Sequence, residues 1–100
     1  MKILDLPLKA KWYNMIESGE KQEEYRRIKS YWCKRLLKCE DKLIDGITIR
    51  TDYTHVRFRY GYTKRTMLFE LHEIDIDYGN PEWGAPENEM VFILKLGNRI

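Results

Sequence analysis

Between His55 and Tyr60 the side chains alternate without a break. Val56, Phe58 and Tyr60 are apolar, and the residues between them, Arg57 and Arg59, are cationic. A period of two predicts a strand with one buried face and one charged face. Gly61 ends the run, and TMLFELHEIDIDY begins a longer one whose phase changes midway. Met67, Phe69 and Leu71 are odd-numbered, whereas Ile74, Ile76 and Tyr78 are even. A slip of one residue in a continuous strand is what a β-bulge produces, and bulges bend strands. A long bent antiparallel strand suits a small barrel turning a corner. The closing VFILKLG is apolar on both faces until Lys95, which predicts a central, well-covered strand.

The first half of the chain reads differently. KILDLP predicts a short strand ended by Pro7. In AKWYNMIES, Trp12, Met15 and Ile16 fall at i, i+3 and i+4, one apolar face of a short helix. Gly19 stands where a left-handed residue closes such a helix, and Lys21 follows the negative end of its dipole. QEEYRR has no helical stripe and predicts a strand. A second helix is expected from Ile28 to Leu37, with Ile28, Trp32, Arg35 and Leu36 on one side and Lys29, Lys34 and Lys38 outside. Trp12 and Trp32 both fit apolar helix stripes and are assigned to the core. Asp45-Gly46 marks a turn, and ITIR a brief strand. One hundred residues support one modest core. The fold class is therefore mainly β, or α+β: a single domain over residues 1–100, built as a small pseudo-β-barrel decorated by two short N-terminal helices.

The net charge of +2 conceals a division along the chain. Residues 9–65 hold fifteen Lys or Arg against eight acids, whereas residues 66–100 hold two against seven. A basic region joined to an acidic one can attract polyanions without an extreme pI, and its acidic third can equally dock a protein partner. The two cysteines, Cys33 and Cys39, match no zinc motif even with His55 and His72, so neither a metal nor a cofactor is expected. Isolated thiols, a short apolar run at the start and the absence of any long apolar stretch point to a cytoplasmic protein without a membrane span.

The chemistry concentrates after Gly19. Side chains on a strand reverse direction at every residue, so Glu24 and Arg26 share a face. Lys21 can join them because the Gly19-Glu20 turn frees its direction. Arg26 offers a planar fork for a phosphate or a carbonyl edge, Lys21 a mobile cation, and Glu24 an acceptor that orients either. The competing reading is a dipole-screening lysine beside a surface ion pair worth only about 0–1 kcal/mol.

Gly19-x-Lys21-x-x-Glu24-x-Arg26 resembles the GxKxxExR signature of the ASCH domain family, and WYNMIESGEK resembles the helix that leads into it. The resemblance covers the first third of the chain, with a later β-rich half of suitable length. It implies a PUA-like pseudo-barrel with the motif residues lining a cleft between barrel and helices, and a role in binding RNA. Some members hydrolyse an acylated cytidine nucleoside and some cleave RNA. In the amidohydrolase branch the motif lysine is catalytic, a role that falls on Lys21. That branch carries a catalytic threonine where this chain has Glu24, leaving Glu24 a candidate of different chemistry. A further catalytic glutamate lies outside the signature, with Glu70 and Glu73 as candidates.

Two features fit RNA or a nucleoside as ligand. Arg57 and Arg59, with Arg50, Lys64 and Arg65 nearby in sequence, form a candidate phosphate-tracking stripe, although exposed strand faces are often charged. Trp83, in the Pro/Gly-braced loop GNPEWGAPENE, can stack on a base or anchor that loop. The expected function is binding of RNA or a modified nucleoside by Lys21, Glu24, Arg26 and Trp83. The alternatives are hydrolysis with Lys21 transferring a proton, and a protein-interaction module.

Overall fold

The computed structural model describes residues 1–38, 48, 49 and 52–100. Its strands are β1 (Ile3–Leu8), β2 (Glu23–Arg27), β3 (Leu37–Lys38), β4 (Thr48–Ile49), β5 (His55–Tyr60), β6 (Thr66–Tyr78) and β7 (Met90–Arg99). Helix α1 (Ala10–Glu17) lies between β1 and β2, helix α2 (Ser30–Leu36) follows β2, and a 3-10 turn covers Pro81–Trp83. Five strands form one curled sheet in the order β1-β5-β6-β7-β2, a half-barrel, while β3 and β4 pair separately.

The alternation at His55–Tyr60 works as its period requires. Val56 and Phe58 stand opposite Leu4 and Leu6 of β1 and share the main core with them. Arg57 and Arg59 stand opposite Asp5 and Pro7 on the other face. Met67 and Phe69 of β6 and Phe92 and Leu94 of β7 complete the sheet's contribution, and Tyr13, Ile16 and Leu36 cover it from the helices. Strand β7 is apolar on both faces because both are covered. Val91 and Ile93 point away from the main core into a second cluster with Tyr25 and Ala85, against which Trp83 packs. The register of β6 against β7 shifts between Phe69 and Leu71 and again between Leu71 and Glu73, where the apolar phase changes.

Three expectations are corrected. Pro7 does not end β1, which continues to Leu8; as a sheet edge, β1 tolerates a residue without an N–H. Strand β1 runs parallel to β5, so the sheet is mixed. The second helix begins at Ser30, two residues later than expected, and Ile28 is left 44% exposed. On α1 the fully buried pair is Tyr13 and Ile16, while Trp12 and Met15 are half-buried. Two overlapping i, i+3 stripes exist there, and the edge-on packing of Tyr13 on Tyr60, with centroids 5.2 Å apart, accompanies the choice between them. The Asp45-Gly46 turn lies outside the described residues, as do Cys39 and Arg50.

Candidate functional site

Helix α1 stops at Glu17, and Gly19 takes the left-handed conformation with φ +86°. Its N–H donates to Ile16 O at 3.1 Å, and the Lys21 N–H donates back to Met15 O at 2.9 Å. The turn therefore ties the backbone of Lys21 to the end of the helix before β2 begins. That anchoring frees Lys21 from strand parity and sends its side chain inward.

Lys21 is 2% exposed and Glu24 4%, the two buried charged residues among those described. The Lys21 ammonium lies 3.1 Å from Glu24 Oε1 and donates to the carbonyl oxygen of Trp83. It also sits over the rings of Trp12, 5.1 Å from the centroid, and Tyr25, at 4.7 Å. Arg26 Nη1 donates to the other oxygen of Glu24 and, at 2.8 Å, to Tyr25 O. Its guanidinium stacks over Trp32 at 5.2 Å. One carboxylate thus bridges two cations, each backed by an aromatic face.

Burial pushes the Lys21 ammonium below its ordinary pKa, and the Arg26 charge adds to that. The Glu24 carboxylate opposes the shift without reversing it. Charge contact alone suggests that Glu24 would hold Lys21 protonated. Desolvation, visible only in the fold, is the larger effect.

The loop after β6 closes over this group. The Tyr25 hydroxyl donates to Glu23 at 2.8 Å and accepts the Asn80 N–H at 3.1 Å. Burial, chiefly, raises the Tyr25 pKa well above its ordinary value. Gly84, at φ +101°, brings the loop so near Trp12 that a Cβ there would lie 3.0 Å from the indole.

Two hollows flank the group. One, about 360 Å³, is lined by Tyr25, Arg26, Arg27, Lys29, Trp32, Gly84, Pro86 and Val91. The other, about 350 Å³, is bordered by Lys21, Gly19, Gln22, Ile16 and Phe69 together with Leu96, Gly97 and Asn98. Gly97 and Asn98 also border a third hollow beside Glu70, whereas Glu73 is held 3.6 Å from Lys95. Of the two candidate glutamates, Glu70 is the one next to the space that Lys21 borders.

The structure brings Lys21, Glu24 and Arg26 together, and Trp83 joins them through its carbonyl while its ring packs on the second cluster. Of the two tryptophans assigned to the core, Trp32 packs partly buried against it and also faces Arg26, whereas Trp12 is partly buried and faces Lys21. Residue pattern alone gave no signal for this, because Trp12 meets Lys21 across a turn and Trp32 meets Arg26 across a helix entry. The arginine stripe is largely engaged. Arg57 lies 3.2 Å from Asp5, Arg59 donates to Thr63 O, and Arg65 makes a two-pronged contact with Glu17 at 2.9 and 3.0 Å. Lys64 is exposed.

No described group of three or more His, Cys, Asp or Glu side chains is placed to hold a metal ion, and no described helix is long and apolar enough to cross a membrane. No protein-family model, curated protein or solved structure matches the chain.

Proposed function

We propose that this chain is a binding module for RNA or a modified nucleoside, as its resemblance to the ASCH family implies, with the Lys21–Glu24–Arg26 group and the adjoining cleft as the site. The observation that carries the reading is the burial of Lys21 and Glu24, with the partly buried Arg26 on the same carboxylate, beside an open cleft. Such an ion group gives little stability for its desolvation cost, so a ligand is a better reason for it than folding. Arg26 keeps unused N–H donors, since only Nη1 is committed at short range and Nη2 lies 3.4 Å from Pro7 O.

Fluorescence titration at low salt with single-stranded RNA, structured RNA, cytidine and an acylated cytidine tests the proposal. Binding of at least one of these is expected, weakening as salt rises for the RNAs and lost in Arg26→Ala. Absence of binding to all four removes the reading.

Hydrolysis of an acylated nucleoside or RNA is the second reading, favoured by the depressed Lys21 pKa, which enlarges the neutral fraction able to accept a proton. In this structure the amine is occupied by Trp83 O and Glu24, which ranks binding first. Turnover of acylated cytidine or RNA that disappears in Lys21→Ala would reverse the ranking.

A further inference from the structure

The cleft beside Arg26 has a composition that narrows the ligand class. Three cations line it, Arg26, Arg27 and Lys29, and no acid does among the described residues. Glu24 is shared between Lys21 and Arg26, so Arg26 has no carboxylate to itself. Arg27 has a loose exposed partner, Glu89, at 3.6 Å, and Lys29 has no carboxylate partner among the described residues. The remaining walls are flat or apolar: Tyr25, Trp32 and Pro86.

Cations and flat faces in one small space ask for a ligand with both an anion and a ring. At about 360 Å³ the cleft lies at the small end of ligand pockets, which run from about 300 to 1,000 Å³, room for one nucleotide and not for a helical segment. The Arg26 guanidinium lies over the Trp32 ring, 5.2 Å from its centroid, and a guanidinium plane is itself a stacking surface for a base. Arg27 and Lys29, both exposed, then stand as cations at the same cleft.

Building on the binding reading above, we infer that the cleft takes a single nucleotide bearing a terminal phosphate monoester, its base continuing the Trp32–Arg26 stack and its phosphate met by Arg27 and Lys29. A terminal monoester carries more charge than an internal phosphodiester, so two exposed cations at the phosphate, Arg27 and Lys29, favour a chain end or a free mononucleotide over the middle of a strand. Both sources present the same chemistry.

Calorimetric titration of the full chain tests this with matched pairs: AMP against adenosine, CMP against cytidine, and a short RNA with a 5′-phosphate against the same RNA with a 5′-hydroxyl. The phosphorylated member of at least one pair is expected to bind about ten- to a hundredfold more tightly. Lys29→Ala should narrow that ratio by about tenfold, and Lys29→Arg should keep it. A stronger response from the RNA pair assigns the occupant as an RNA end, and a stronger response from the mononucleotides assigns it as a free nucleotide. Equal affinity within every pair overturns the inference while leaving the binding reading intact. Silence from all six probes also overturns it, and titration with acylated cytidine and structured RNA then decides the binding reading. Inorganic phosphate binding as tightly as the monophosphates also overturns it, because the ring would then contribute nothing.

Discussion

Glu24→Gln is the substitution that most directly perturbs the buried charges. Glu24 is 4% exposed and holds Lys21, itself 2% exposed, at 3.1 Å, while also binding Arg26. Removing its charge leaves the Lys21 ammonium buried without a counter-ion. Breaking a buried pair from one side costs about 3–5 kcal/mol. For a domain of this size that lowers Tm on the order of 20 °C. The double variant Lys21→Met/Glu24→Gln removes both charges and keeps an unbranched stem between Trp12 and Tyr25. Much of the lost stability should return, since neutral replacement of a buried pair is often harmless and Arg26, which also loses its carboxylate, is partly exposed. The pH dependence gives an independent check. The native pKa of Lys21 lies below its unfolded value of 10.5, so between the two the unfolded chain binds more protons and stability rises with pH. Without Glu24 the native pKa falls further, the window widens downward, and the single variant should gain more on going from neutral pH towards 10.5. Urea denaturation followed by circular dichroism, on the parent, Glu24→Gln, Lys21→Met and the double variant, measures the free energies and their pH dependence, and thermal melts give Tm. A loss below about 1 kcal/mol in Glu24→Gln would mean that Lys21 is solvated in solution. A double variant as unstable as the sum of the singles would show that the two residues do not act as a pair. Recovered stability together with lost ligand binding is the expected signature of a group kept for its site.

Two further outcomes follow from the loop contacts. Tyr25→Phe should cost about 1 kcal/mol at neutral pH through the lost contacts to Glu23 and Asn80. The parent should lose stability above about pH 10, where the unfolded tyrosine ionises and the native one stays protonated, and a flatter alkaline limb in the variant checks this. Gly84→Ala forces a Cβ to 3.0 Å from Trp12 at φ +101° and should cost about 1–3 kcal/mol, read as a lower thermal midpoint. An unchanged midpoint would mean that the loop does not sit on Trp12.

Much of the fold was legible from local pattern. Alternation at Val56, Phe58 and Tyr60, the phase slip after Leu71 and the doubly apolar VFIL segment correspond to β5, the shifted register in β6 and the doubly covered β7. Gly19 marked a helix end because a left-handed residue is a local requirement. These features are carried by neighbours along the chain, and neighbours are what a sequence displays. The direction of β1 was not legible, since a parallel and an antiparallel edge strand present the same alternation. Nor was the rotation of α1, where two stripes compete and only contact with the sheet chooses Tyr13 over Trp12.

The sequence by itself determined the strand-rich class, the helix-ending turn and the sharing of a face by Glu24 and Arg26. Only the tertiary structure decided that Lys21 and Glu24 are buried, that Trp12 and Trp32 stand against the cations, and that the carbonyl of Trp83, sixty-two residues from Lys21, completes the group. Desolvation depends on what covers a residue from every side. That covering comes from segments far apart in the chain, and it changes Lys21 from a surface charge into a lysine with a lowered pKa.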